Sequence, residues 1–150
     1  FTIYAGTKRI TQETITDKAA RVRQLLQDAD AVIIGAGAGL STAAGIEYSG
    51  ARFTENFKDF IERYRLTDMY TAGFYPFQTE EEKWAYWSRH IRMNRYDAPV
   101  GRVYEQLLEL VRDKPCFVIT TNVDAQFSKA GFDPMRLWMV QGDYGKLQCA

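Results

Sequence analysis

The chain has 150 residues, 46% of them hydrophobic, with 19 basic side chains balanced by 19 acidic ones. That length suits one domain with a single core, and the charge balance removes the electrostatic case for binding nucleic acid. No apolar run approaches the ~20 residues that cross a bilayer, and two cysteines, Cys116 and Cys149, make no disulfide framework. The expected compartment is the cytoplasm, with neither nucleic acid nor membrane as partner. The sequence opens on Phe1 without an initiator Met and stops at Ala150 directly after a cysteine. It therefore reads as the N-terminal part of a longer chain.

Residues 1–15 are polar and rich in Thr, which predicts an arm over the surface. Thr16 is placed to cap a helix from Asp17 to about Gln27, with Ala19, Val22, Leu25, Leu26 and Ala29 on one face. Ala31 to Ile34 then run apolar without alternation, as in a parallel strand buried on both faces. Gly35, Gly37 and Gly39 follow as a turn, and Leu40 to Ala44 can open a helix whose free N–H groups face an anion. Strand, glycine turn and helix together make a phosphate cradle, or else a turn that only packs a helix on a strand. The dinucleotide fingerprint G-x-G-x-x-G is not met, because its third slot holds Leu40 or Thr42, and no P-loop pattern exists.

Residues 47–98 depart from a Rossmann half and read as an aromatic-rich helical insertion. Phe53, Phe57, Phe60, Ile61 and Tyr64 keep helical spacing, Met69 to Phe77 form a loop, and Thr79 with Glu82 makes a capping box for a helix to about Asn94. Trp84, Trp87 and Ile91 share a face of that helix, which is either core or part of a lid over the neighbouring pocket. Val100, Val103, Tyr104, Leu107, Leu108 and Val111 form a further helical stripe, ended by Lys114-Pro115. Cys116 to Ile119 and Leu137 to Val140 are the remaining strands, separated by a turn at Asp133-Pro134. The fold class expected is α/β, Rossmann-like, with a mainly parallel sheet, the helical insertion and an incomplete C-terminal side.

Open α/β sheets bind ligands beyond the carboxyl ends of their strands. All three ends here are polar or glycine-rich: Gly35 to Gly39, Thr120-Thr121-Asn122-Val123-Asp124, and Gln141-Gly142-Asp143. Asn122 and Asp124 point the same way in an extended segment, where a carboxylate beside an amide can recognise an amide-bearing ligand or position a hydroxyl. The competing use is a turn in which both side chains bond their own backbone.

Gly37-Ala38-Gly39-Leu40-Ser41-Thr42-Ala43-Ala44-Gly45-Ile46 resembles the sirtuin motif G-A-G-x-S-x-x-S-G-I. Thr120 to Asp124 looks like that family's T-Q-N-I-D, and Val140-Gln141-Gly142-Asp143 falls where sirtuins carry H-G-S. Cys149 stands eight residues after Gln141, similar to the first zinc cysteine, so the resemblance makes it a metal ligand whose partners lie beyond residue 150. The likeness implies an enzyme that consumes NAD, expels nicotinamide through an oxocarbenium-like state and passes ADP-ribose to an acceptor. Gly37, Ala38, Gly39, Ser41 and Thr42 would surround the pyrophosphate. Asn122 would lie by the nicotinamide ribose, and Asp124 with the Val123 backbone would hold the carboxamide.

The departures point to the acceptor. The catalytic His position reads Gln141, and the sole histidine, His90, lies in the insertion, where it is a surface or core residue rather than a base. Glutamine takes no proton near neutral pH, though it can orient a ribose hydroxyl. The family's P-D-F-R reads Glu47-Tyr48-Ser49-Gly50, so its arginine is lost, with Arg52 as the substitute. These changes resemble the macrodomain-linked, class M sirtuins of microbes. That group implies protein mono-ADP-ribosylation with a lipoylated, glycine-cleavage-like carrier as acceptor and a macrodomain protein as partner. Asn122 and Gln141 are then the catalytic pair. A weak lysine deacylase and an inactive module sensing NAD or ADP-ribose are the alternatives.

Overall fold

The computed structural model describes residues 14–149; the arm expected over residues 1–15 lies almost wholly outside them. Helix α1 (Ile15–Asp28) starts earlier than the sequence suggests, because Thr14 rather than Thr16 caps it. Thr14 Oγ1 accepts from the Asp17 amide at 3.2 Å while the Asp17 carboxylate accepts from the Thr14 amide at 3.1 Å, a reciprocal capping box. The expected apolar face of α1 is not buried: Val22 and Leu25 are exposed, Leu26 is half-buried, and no residue of the helix is fully buried among the described residues.

Strands β1 (Val32–Ala36), β2 (Cys116–Thr120) and β3 (Leu137–Met139) form a parallel sheet in the order β1-β2-β3. Between the first two strands come α2 (Ala38–Ala43), α3 (Gly50–Asn56), α4 (Lys58–Tyr64), α5 (Met69–Ala72), α6 (Glu80–Ile91), a π-helical turn over Arg92–Tyr96, and α7 (Arg102–Val111). Helix α8 (Gln126–Ala130) and a short 3-10 turn (Pro134–Arg136) join β2 to β3. The fold is α/β and Rossmann-like, as the sequence predicts. None of the described helices is long and apolar enough to cross a membrane.

The sheet is covered on one face only among the described residues. Val118 packs with Val32, Ile34 and Leu137 against Tyr104, Val111, Phe127 and Phe132 of the helical side. The opposite face carries Ile33, 73% exposed and paired with Phe117, and Trp138, 57% exposed and paired with Ile119. The unalternated apolar run of β1 therefore does not signify burial on both faces here.

The insertion has its own core, so the buried residues form two clusters instead of the single one expected. Phe53, Phe57, Phe60, Leu66, Met69, Ala72 and Tyr86 make it up, with rings in tilted and edge-on pairs such as Phe57 and Tyr86 at 5.2 Å. Met69 to Phe77 is not all loop, because Asp68 caps α5 by accepting from the Thr71 amide at 2.8 Å. Thr79 caps α6 as expected, but the Glu82 carboxylate turns to Arg63 instead of closing a capping box. The buried residues of α6 are Tyr86 and His90, while Trp84 on the predicted face is exposed.

The start of α7 sits directly on the end of α2. A Cβ at Gly101 would overlap the Ala44 Cβ and lie 3.2 Å from the Ala44 Cα, so only glycine permits this approach. Gly101→Ala should lower stability by about 1–3 kcal/mol, the usual cost of overpacking. Urea denaturation measures it, and an unchanged midpoint contradicts this account of the α2–α7 junction.

Candidate functional site

The three strand ends meet at one edge of the sheet. Gly35 is still part of β1 and Gly39 is already helical, so the turn itself falls at Gly37, which caps α2 with extended backbone. A Cβ at Gly39 would meet nothing within 4 Å, and one at Gly37 only the Thr121 Oγ1 at 3.4 Å. Internal packing thus does not demand glycine at 39. The open surface there is where a ligand backbone or phosphate can come close. Of the first-turn amides, that of Leu40 already donates to the Gly37 carbonyl at 3.0 Å, which leaves those of Ala38 and Gly39 without an intrahelical acceptor, although at six residues α2 is short.

Behind this surface runs a buried chain of hydrogen bonds. Ser41 Oγ donates to Asp124 Oδ2 at 2.5 Å, which uses its one hydrogen. The Tyr104 hydroxyl, 2.9 Å from Ser41 Oγ, must then donate to it. Asn122 Nδ2 donates to the Tyr104 oxygen at 3.1 Å and to the Gly37 carbonyl at 3.0 Å. The order is Asn122, Tyr104, Ser41, Asp124, and it ties the glycine turn to the end of β2. Asp124 also accepts from the Gln126 amide through Oδ1 at 3.1 Å. That bond accompanies Ala125 at φ +56°, a left-handed conformation that a non-glycine residue adopts at a cost of roughly 1 kcal/mol.

Asn122 and Asp124 are both buried and are linked through Tyr104 and Ser41, and Ser41 is itself buried rather than facing outward. Ala38 is exposed, and so is Thr42, whose hydroxyl returns to the Ala38 carbonyl at 3.1 Å. The Val123 carbonyl accepts from the Tyr144 amide at 3.0 Å. Gln141 is exposed just past β3, on the turn closed by Gly142. Arg52 is half-buried, its guanidinium donating to the carbonyls of Glu47 and Met93 at 3.0 Å each and to Asn94 Oδ1 at 2.6 Å. It has no carboxylate partner among the described residues. Burial lowers its pKa, against the opposing effect of the nearby Tyr48 and Glu47. Cys149 is an exposed thiol, and no group of three His, Cys, Asp or Glu side chains suited to a metal exists among the described residues.

Two features of the site escape the sequence. Tyr104 reads there as one more apolar position on a helical stripe, yet its hydroxyl is the hub of the buried chain. The Asp143–Tyr144 turn is the other. Arg95 grips Asp143 through Nε at 2.7 Å and Nη2 at 3.3 Å, and the Gly145 amide donates to the same carboxylate at 2.7 Å. Burial works to raise the Asp143 carboxyl, but these hydrogen bonds outweigh it and leave its pKa lowered. No spacing rule joins residue 95 to residue 143.

The sequence is similar to part of longer proteins that carry the name ADP-ribosyltransferase. It is 44% identical over 135 residues to a protein ADP-ribosyltransferase of Staphylococcus aureus (strain Mu50 / ATCC 700699), covering 90% of this chain and 43% of that protein. It is 38% identical over 133 residues to a probable bifunctional ADP-ribose hydrolase/ADP-ribosyltransferase of Fusarium oxysporum f. sp. cubense, covering 85% of this chain and 22% of that protein. The chain therefore spans less than half the length of both relatives. No protein-family model matches it.

Removing the Tyr104 hydroxyl takes one partner each from Asn122 and Ser41 in a buried place. Tyr104→Phe should cost about 1–3 kcal/mol through those under-satisfied groups. A denaturant midpoint equal to wild type would show that the chain contributes nothing to holding the strand ends together.

Proposed function

We propose that the chain is the NAD-binding part of a sirtuin-type protein mono-ADP-ribosyltransferase. The observation that carries this is the juxtaposition at the sheet edge. An open glycine surface and the buried Asn122 and Asp124 are brought together by one hydrogen-bonded chain, while Arg52, without a carboxylate partner among the described residues, is held separately by Glu47, Met93 and Asn94. The names of the two relatives support the same class of reaction.

NAD is the co-substrate that supplies the ADP-ribosyl group and leaves nicotinamide behind. In this reading Gly37, Ala38, Gly39 and Thr42 line the pyrophosphate, Ser41 holds the cradle from beneath, and Arg52 offsets anionic charge. Asn122 positions the nicotinamide ribose, while Asp124 and the Val123 backbone recognise the carboxamide. Gln141, on an exposed turn, orients a ribose hydroxyl. It cannot act as a proton acceptor, and losing a general base typically costs ~10²–10⁴-fold in rate. A deacylase needs that base after the acyl oxygen has attacked; direct transfer to a nucleophilic side chain does not. This favours transfer over lysine deacylation.

The proposed acceptor is a lipoylated, glycine-cleavage-like carrier protein, and the proposed partner is a macrodomain protein. The name of the Fusarium relative pairs hydrolase with transferase. Zinc does not fit the described residues, because Cys149 stands alone. A zinc role for it needs ligands from elsewhere in the longer protein.

The test uses the full-length protein with NAD, a lipoylated carrier and acyl-lysine peptides in parallel. Mass addition of one ADP-ribosyl group to the carrier is expected, with Gln141→Ala slowing it. Efficient deacylation with no addition to any carrier overturns the assignment. Gly37→Val should weaken NAD binding about tenfold or more while leaving the fold intact, and unchanged affinity would remove the cradle.

A further inference from the structure

His90 is the only histidine of the chain and is 1% exposed. Its neighbours determine where its proton lies. The Tyr86 hydroxyl donates to the Met69 carbonyl at 2.8 Å, so its oxygen can only accept from His90 Nδ1, 3.3 Å away. Nδ1 therefore carries the hydrogen and Nε2 is bare. The Tyr144 hydroxyl donates to Nε2 at 3.1 Å, and Tyr48 in turn donates to the Tyr144 oxygen at 3.2 Å. The circuit closes through the backbone, because the Met69 amide donates to the Tyr48 carbonyl at 2.7 Å. Burial first, and the Arg52 charge second, bring the imidazole pKa down to about 4, in keeping with a neutral ring.

The circuit reaches the candidate site at two points. The Tyr144 amide holds the Val123 carbonyl, and Asp143 beside it is clamped by Arg95 of the insertion. Tyr48 and Tyr144 also lie close enough to Asp124 for its charge to add to the effect of burial in raising their phenol pKa values. Gln141 is only two residues upstream of Asp143.

We propose that His90, as an Nδ1–H imidazole, is a positioning residue for the transfer site. Through the Tyr144 hydroxyl it fixes the Asp143–Tyr144 turn to the helical insertion, and thereby sets the Val123 carbonyl and Gln141 against the glycine surface. The role rests on the proposal that Val123 and Gln141 face NAD. Ring packing alone does not account for it. Tyr48, Trp87 and Tyr144 all approach the imidazole edge-on at 5.1–5.3 Å, which a phenylalanine satisfies equally well. The directed bonds to two hydroxyls, those of Tyr86 and Tyr144, need a histidine.

The experiment compares full-length wild type, Tyr144→Phe, His90→Phe, His90→Gln and, as a control from the same aromatic core, Tyr64→Phe. Nitrogen-15 NMR of the single imidazole reports its tautomer, amide exchange at residue 144 reports the tether, and calorimetry reports NAD affinity. Expected are an Nδ1–H tautomer in wild type and at least tenfold faster exchange at residue 144 in Tyr144→Phe and His90→Phe. NAD affinity should fall about tenfold in those two, recover in part in His90→Gln, whose amide oxygen can accept from Tyr144, and stay unchanged in Tyr64→Phe. An Nε2–H tautomer, or unaltered exchange in Tyr144→Phe, overturns the tether. Faster exchange with unaltered NAD affinity reduces His90 to packing and overturns the positioning role. If wild type binds no NAD, the functional proposal falls and the positioning role with it, while tautomer and exchange still decide the tether.

Discussion

A buried carboxylate must be given donors, and much of this structure follows from supplying them to Asp124. An ionised group taken out of water costs several kcal/mol unless it is hydrogen-bonded. Its two oxygens receive the Ser41 hydroxyl and the Gln126 amide. The first bond requires α2 to lie with Ser41 inward, which brings the glycine turn over the end of β2. The second accompanies the left-handed Ala125 and the immediate start of α8. Tyr104 then fills the space between the two loops and passes the same chain on to Asn122. One charge thus organises the sheet edge at which a ligand would sit.

The insertion is joined to that edge by polar contacts rather than by a shared core. Gln126 takes the Gly101 amide with its oxygen at 2.8 Å and gives its amide hydrogen to the Pro99 carbonyl at 3.0 Å. Lys129 donates to the carbonyls of Ala98 and Tyr96 at 2.7 Å and 3.2 Å, satisfying acceptors left over where the π-helical turn ends. With the Arg95–Asp143 pair, these bonds connect an aromatic body with its own core to the sheet edge. Small changes in the insertion can therefore reach the strand ends without any repacking of the sheet.

What the sequence made legible was whatever repeats locally. The strands, the stripe of α7 and the aromatic helices are written in hydrophobic spacing, and the strand-end residues follow from the rule that ligands sit beyond carboxyl ends. Asn122, Asp124 and Ser41 were picked out by motif and do meet in space. Burial of each face was not legible, because apolar runs in β1 and on α1 look alike whether covered or not; Ile33 and Val22 are both exposed. Contacts between distant positions, such as residue 104 with residue 122 or residue 95 with residue 143, have no local signature. The hydroxyls of Tyr104 and Tyr144 read as aromatic bulk until their partners are seen.

The central claim is that this sheet edge is where NAD binds, and amide chemical-shift mapping on the full-length protein tests it most directly. Titration with NAD should move the resonances of residues 37–44, 122–126 and 141–144 together, with one common affinity, and leave the exposed sheet face at Ile33 and Trp138 unmoved. Shifts confined to that sheet face or to the outer surface of the insertion, with the strand ends silent, would contradict it.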